Sequence, residues 1–182
     1  KNQIDLDKLK ALEIEIEKTL KKIVEYLCLH ILNQIKAGAD SVQIFDSWAG
    51  LIPKKKLFDY CYEPTEKIVN FCRKNKIPVI CFPKGIKNDY LDFANIVRPD
   101  CISLDYQTDP EWAKKNLSKF CLQGGMQPKI LFKKESRILQ EVDKYLNIFK
   151  DHPYIFNLGH GLLPETDPTV LQKVIERVNN FK

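Results

Sequence analysis

"HILNQIKAGADSVQIFDSWAG", from His30 to Gly50, joins two kinds of chain. Upstream, Leu6, Leu9, Leu12, Ile16, Leu20, Ile23, Leu27, Ile31 and Ile35 recur at spacings of three and four. That period places them on one side of an amphipathic helix, or of two helices with a break. Gly38 suits the residue just past a helix end, where a left-handed backbone is needed. Beyond it, Ser41 to Phe45 is a short apolar run without alternation. Such a run fits a strand buried on both faces. The chain therefore opens on a helix with no strand before it.

Four further runs share this character: Pro78 to Phe82, Cys101 to Asp105, Phe120 to Gly124 and Tyr154 to Gly159. Helical stretches are predicted between and after them, over Leu57–Lys74, Asp89–Ala94, Pro110–Asn116, Glu135–Phe149 and Pro168–Phe181. Strand and helix alternating in this way make right-handed βαβ units and a parallel α/β sheet. No linker or low-complexity tract interrupts them. Two architectures remain open on pattern alone. One is a complete doubly wound domain of five strands; the other is part of an eight-stranded barrel, which takes about 250 residues when whole. The opening helix favours the second, as a crossover helix without its own strand.

Composition narrows the function classes. The 182 residues, 44% hydrophobic, suffice for one core. A net charge of +5 is too mild to mark a nucleic-acid binder, yet it suits a small polyanion if focused in a cleft. No apolar run approaches the roughly 20 residues of a membrane span. The opening "KNQIDLDKLK" has no apolar segment of signal-peptide kind. Cys28, Cys61, Cys72, Cys81, Cys101 and Cys121 form no C-x-x-C pair and several lie in strand-like runs. They read as reduced thiols of a cytoplasmic protein, and no metal is expected.

In either architecture ligands bind at the carboxyl ends of the strands. The residues there are Asp46, Ser47 and Trp48, then Lys84, Asp105, the pair Gly124 and Gly125, and His160. Several have plain structural readings. Ser47 can cap a turn, Asp105 can accept structural hydrogen bonds, Lys84 can sit in solvent, and the glycine pair can make a turn or admit a ligand to the backbone. His160, between Gly159 and Gly161, fits a ligand-facing position better than a core one. Asp167 and Pro168 read as the N-cap and first residue of the last helix. No Walker A, G-x-G-x-x-G, G-x-S-x-G or H-E-x-x-H motif is present.

"GADSVQIFDSWAG" and "YIFNLGHGLLPETDP" together resemble the uroporphyrinogen decarboxylase family. "PVICFPKG", "CISLDY" and "CLQGG" fall where that family has strands, so the resemblance covers essentially residues 1–182. It implies a (β/α)8 TIM barrel, of which this chain supplies a C-terminal part of about five βα units. It also implies the cofactor-independent removal of carbon dioxide from the four acetate side chains of uroporphyrinogen III, giving coproporphyrinogen III in haem biosynthesis, by a cytoplasmic homodimer. By motif, Ser47 and His160 correspond to substrate contacts, and Phe45 to the pocket wall. The family's arginine-rich motif, its aspartate facing the pyrrole nitrogens and its tyrosine near the reacting acetate have no counterpart here. Asp46, Asp89 and Asp105 are not in the context of that aspartate. The catalytic residues are thus expected in an N-terminal portion absent from this chain, which alone is expected to be inactive and to associate through its sheet edges.

One stretch departs from the family: "QGGMQP" stands where "QGN-x-D-P" is usual. Three other readings compete. Corrinoid-linked methyltransferases of the same superfamily carry a His-x-Cys zinc pair, but Val79 stands two before Cys81. A phosphate-binding barrel would use the glycines and leave "FDSWAG" unexplained. A non-catalytic barrel fragment would act through its edges.

Overall fold

The computed structural model describes residues 6–181. Residues 1–5, which carry part of the opening stretch read above as no signal peptide, lie outside the described residues. The first element is one continuous helix, α1 (Leu6–Lys36). It ends as the sequence predicts. Gly38 has φ +99°, and the N–H groups of Gly38 and Ala39 donate to the carbonyls of Ile35 and Gln34. These two bonds satisfy carbonyls that the helix end leaves open. The packed stripe differs from the predicted one. Ile16, Leu20, Val24, Cys28, Ile31 and Ile35 are covered, whereas Leu9, Leu12, Ile23 and Leu27 are exposed. The helix is apolar on two flanks, and only one packs on α2.

The other elements alternate: β1 (Val42–Asp46), α2 (Glu63–Lys74), β2 (Val79–Pro83), α3 (Tyr90–Val97), β3 (Cys101–Leu104), α4 (Pro110–Asn116), β4 (Cys121–Gly124), α5 (Glu135–Phe149), β5 (Tyr154–Ile155) and α6 (Pro168–Asn179). The predicted helix from Leu57 divides into a π-helical turn, Phe58–Tyr62, and α2. Pro64 has no N–H and crowds the carbonyl four residues back, so the ladder widens there. The run predicted over Tyr154–Gly159 shortens to two strand residues and a single bridge from Leu158 to Met126. Gly124 and Gly125 turn β4 away at φ +77° and +98°, and this ends continuous pairing.

The strands form one parallel sheet in the order β1-β2-β3-β4-β5. This order decides between the two architectures. Right-handed crossovers that always step to the next neighbour place every helix on the same face, whereas a doubly wound domain must reverse direction once. The residues record the asymmetry. Val42, Ile44, Val79, Cys81, Ile102, Leu104, Leu122 and Tyr154 face the helices and belong to the core. The alternate row, Phe45, Phe82, Ser103, Gln123 and Ile155, lies on the other face, which no helix covers among the described residues. Its middle members are buried, and the end members Phe45 and Ile155 are 66% and 44% exposed. The sheet is therefore the arc of a barrel wall, with a polar pair inside: Gln123 Nε2 donates to Ser103 Oγ at 3.2 Å. β1 and β5 each pair on one side only among the described residues.

The six cysteines are free; four are buried and Cys28 and Cys121 half-buried. Burial raises the thiols of Cys28, Cys61, Cys81 and Cys101, and that of Cys72 to about 11, so they act as small apolar residues.

Candidate active site at the strand ends

The loops after successive strands are laced together by backbone contacts. The N–H of Lys84 donates to the carbonyl of Asp46 at 3.0 Å, and the N–H of Gly50 to the carbonyl of Lys84 at 2.8 Å. A Cβ on Gly50 would come within 2.6 Å of the carbonyl oxygen of Gly85. The last glycine of "FDSWAG" thus lets the first loop lie directly on the second.

Asp105 ties in the third loop. It is 2% exposed and accepts from the N–H of Gly85 (2.7 Å), Tyr90 Oη (3.1 Å), the N–H of Gln107 (2.8 Å) and Thr108 Oγ1 (3.2 Å). Four donors saturate its carboxylate, so the structural reading of this residue holds. Tyr90 returns the bond by accepting from the N–H of Asp105 at 3.1 Å. Burial, first, and the adjacent carboxylate hold the Tyr90 phenol well above its ordinary range and keep it a donor.

The fifth strand end closes on the third. Gly159 is buried, and a Cβ there would approach the backbone nitrogen of Tyr106 to 2.3 Å. Its N–H donates to the carbonyl of Met126 at 2.8 Å. Gly161 has open space around it. The two glycines that flank His160 therefore have different roles: the first permits a close backbone crossing, and the second leaves the chain uncovered. His160 projects from this crossing, exposed, and makes no hydrogen bond or ion pair among the described residues.

The glycine pair after β4 is structural. A Cβ on Gly124 would meet the carbonyl of Leu158 at 2.9 Å, and one on Gly125 would meet the Tyr145 ring at 3.1 Å. Tyr145 Oη donates to the carbonyl of Gly125 at 2.8 Å, and Tyr154 Oη to that of Gly124 at 2.7 Å. Burial raises both phenols, Tyr145 to about 12. Their protons stay on these bonds at any ordinary pH. The departure "QGGMQP" consequently gives a rigid turn, with Met126 fully buried and Gln127 exposed.

Ser47 is exposed and has no hydrogen-bond partner among the described residues. The turn after β1 is held instead by Asp46, whose Oδ1 accepts from the N–H of Trp48 at 3.3 Å. Ser47 is thus not the turn's cap. Phe45 lies on the uncovered face, its ring edge-on to Phe82 at 6.1 Å. Ser47 follows β1 and His160 follows β5, the two edge strands among the described residues, and the loops between them converge: the backbone of Lys84 bonds to that of Asp46, and Lys84 shares a cleft with His160.

What gathers beside His160 is a cleft of about 210 Å³, lined by Lys84, Tyr106, Gln127, Lys129, Gly161 and neighbouring side chains. Sequence reasoning assigned Lys84 to solvent and passed over Tyr106, Gln127 and Lys129. Lys84 follows β2 as Ser47 follows β1, one residue past the strand, and that was the available clue. Among the described residues no group of three or more His, Cys, Asp or Glu is placed to hold a metal ion. Val79 and Cys81, where a zinc pair would be sought, are 1% exposed and face the helices.

The family model described as Uroporphyrinogen decarboxylase (URO-D) matches residues 9–181. A Uroporphyrinogen decarboxylase of Rickettsia bellii is 36% identical over 165 residues, 90% of this chain and 48% of that protein. One of Cereibacter sphaeroides is 33% identical over 172 residues, 92% of this chain and 49% of that protein. The chain spans about half the length of these relatives. Among solved structures, a methyltransferase from Methanosarcina mazei superposes with a TM-score of 0.68 over 81% of this chain and 44% of its own, at 17% identity. At that identity the likeness concerns the fold alone.

Proposed function

The chain belongs to the uroporphyrinogen decarboxylase family, and from that premise we propose that it forms the substrate-binding arc of a TIM-barrel carboxy-lyase acting on uroporphyrinogen. The observation that carries this is that Ser47 and His160, polar side chains without a partner among the described residues, stand at the carboxyl ends of β1 and β5, the end at which a barrel binds its ligand.

The reaction breaks the bond between an acetate methylene and its carboxyl carbon. Carbon dioxide leaves, and the electron pair passes into a pyrrole ring that has first been protonated. The ring is the electron sink, so no cofactor enters this reading. The methylene then takes a proton and becomes a methyl group, and the ring gives up the proton it had gained. Ser47 donates a hydrogen bond to one carboxylate, His160 a stronger one when protonated, and Phe45 bounds the apolar face of the macrocycle. The ring-protonating acid and the arginine cluster belong, on this reading, to a portion outside this chain. Positioning and electrostatic stabilisation are the protein's contribution. We place the completed protein in the cytoplasm as a homodimer. Among the described residues no helix is long and apolar enough to cross a membrane.

The test is conversion of uroporphyrinogen to products with fewer carboxyl groups, followed by chromatography of the oxidised porphyrins. Turnover is expected when the chain is combined with the N-terminal half of the Rickettsia bellii relative, and none from the chain alone. Full turnover by the chain alone would overturn the division of labour. Failure of the combined halves to bind or convert the substrate would overturn the substrate.

A further inference from the structure

We propose that Lys84 is a substrate-anchoring residue, and that the cleft it shares with His160 holds one carboxylate side arm of the macrocycle. This rests on the substrate reading above.

The first observation is how firmly the lysine's base is held. Its N–H donates to Asp46 and its carbonyl accepts from Gly50, at 3.0 and 2.8 Å. The next residue, Gly85, is fixed by Asp105 at 2.7 Å. A lysine on so constrained a backbone leaves a cation at a defined place on the rim rather than on a mobile loop.

The second is its missing partner. Two other lysines past the strand ends are paired, Lys54 with Asp89 at 2.6 Å and Lys56 with Glu13 at 3.1 Å. Lys84 is half-buried and makes no side-chain hydrogen bond or ion pair among the described residues. Its stem is partly covered, and the ammonium at its end keeps three donors open to an incoming acceptor.

The third is the cleft itself. Lys84, Lys129 and His160 line it together with Tyr106 and Gln127, and no acidic side chain does. The nearby Asp105 is turned inward and spent on four donors. At about 210 Å³ the space is below the ~300–1,000 Å³ of sites that enclose a drug-sized molecule. It takes a side arm, with the ring lying outside it.

Binding of uroporphyrin I, an octacarboxylate porphyrin, to the purified chain is the measurement, followed by porphyrin fluorescence at two salt concentrations. Lys84→Met is expected to weaken binding roughly tenfold or more and to flatten its salt dependence, with an unchanged melting midpoint. Lys84→Arg is expected to retain most of the affinity. Equal binding and salt dependence in Lys84→Met and the parent would overturn the anchor and leave the substrate reading intact. If the parent alone binds no uroporphyrin, a small anion decides the cleft, while the combined halves decide the substrate reading. Tricarballylate should then shift the amide resonances of Lys129 and Gly161 in the parent and not in Lys84→Met, and identical spectra would overturn the anion site.

Discussion

The backbone of Gly159 crosses that of Tyr106 so closely that a Cβ on the glycine would stand 2.3 Å from the Tyr106 nitrogen. Neither side of this contact is a flexible side-chain tip, so it cannot yield without moving two strand ends. Gly159→Ala should destabilise the fold by about 3 kcal/mol, at the upper end of overpacking costs. Gly161→Ala, with open space around it and no positive φ, should stay within ~0.5 kcal/mol of the parent. Urea midpoints at unchanged slope report both. Equal effects at the two glycines would contradict the asymmetry.

Asp105 is expected to matter for stability and not as a reacting group. Replacing it with alanine strands the N–H groups of Gly85 and Gln107 and the hydroxyls of Tyr90 and Thr108. The two hydroxyls are buried and the two N–H groups part-buried, and at roughly 1–3 kcal/mol for each orphaned buried donor a loss of about 3 kcal/mol follows. Asparagine keeps one acceptor oxygen and should recover part of it. An Asp105→Ala chain as stable as the parent in denaturant would refute this account.

In the completed enzyme, His160→Ala should act on turnover and leave the fold alone. Losing one charged hydrogen bond to substrate corresponds to a roughly ten- to hundredfold fall in kcat/KM for uroporphyrinogen. The side chain is exposed and has no partner among the described residues, so the melting temperature should not move. A lost cooperative melt with turnover per folded molecule unchanged would make the histidine structural.

Asp167 caps α6, its Oδ1 accepting from the N–H of Thr169 at 2.8 Å. That bond, first, holds the carboxyl below its ordinary value of 3.8, with Lys173 adding to the shift. A lowered folded-state value means stability that is present above that ordinary value and is lost as pH falls through the folded one. Asparagine caps nearly as well but does not titrate. Asp167→Asn should therefore match the parent near neutrality and lose less stability on acidification toward pH 3. Identical acid profiles would remove the cap from the account.

Among the described residues β1 and β5 each pair on one side only, which makes self-association the expected state of the chain taken alone. Sedimentation equilibrium should show mass rising with concentration. A monomer throughout the micromolar range would count against it.

The element order was legible because it depends on local chemistry. The helix before Gly38, the apolar runs, and the Asp-Pro start of α6 follow from periodicity, glycine's left-handed backbone and capping. Pro110–Asn116 and Glu135–Phe149 coincide with the predicted bounds. The "FDSWAG" and "NLGHG" motifs likewise carried the family and drew attention to Ser47 and His160. The choice of a barrel arc over a doubly wound sheet could not be read this way. It depends on which strand each crossover reaches, and short apolar runs look alike whichever neighbour they pair with. The role of each glycine was hidden for a related reason: Gly159 and Gly161 are identical in sequence, and only the arrival of Tyr106 from another strand makes the first irreplaceable. Lys84 read as an ordinary surface lysine because its surroundings come from Tyr106, Gln127, Lys129 and His160, which lie more than twenty residues away along the chain and meet it only when the strand ends converge.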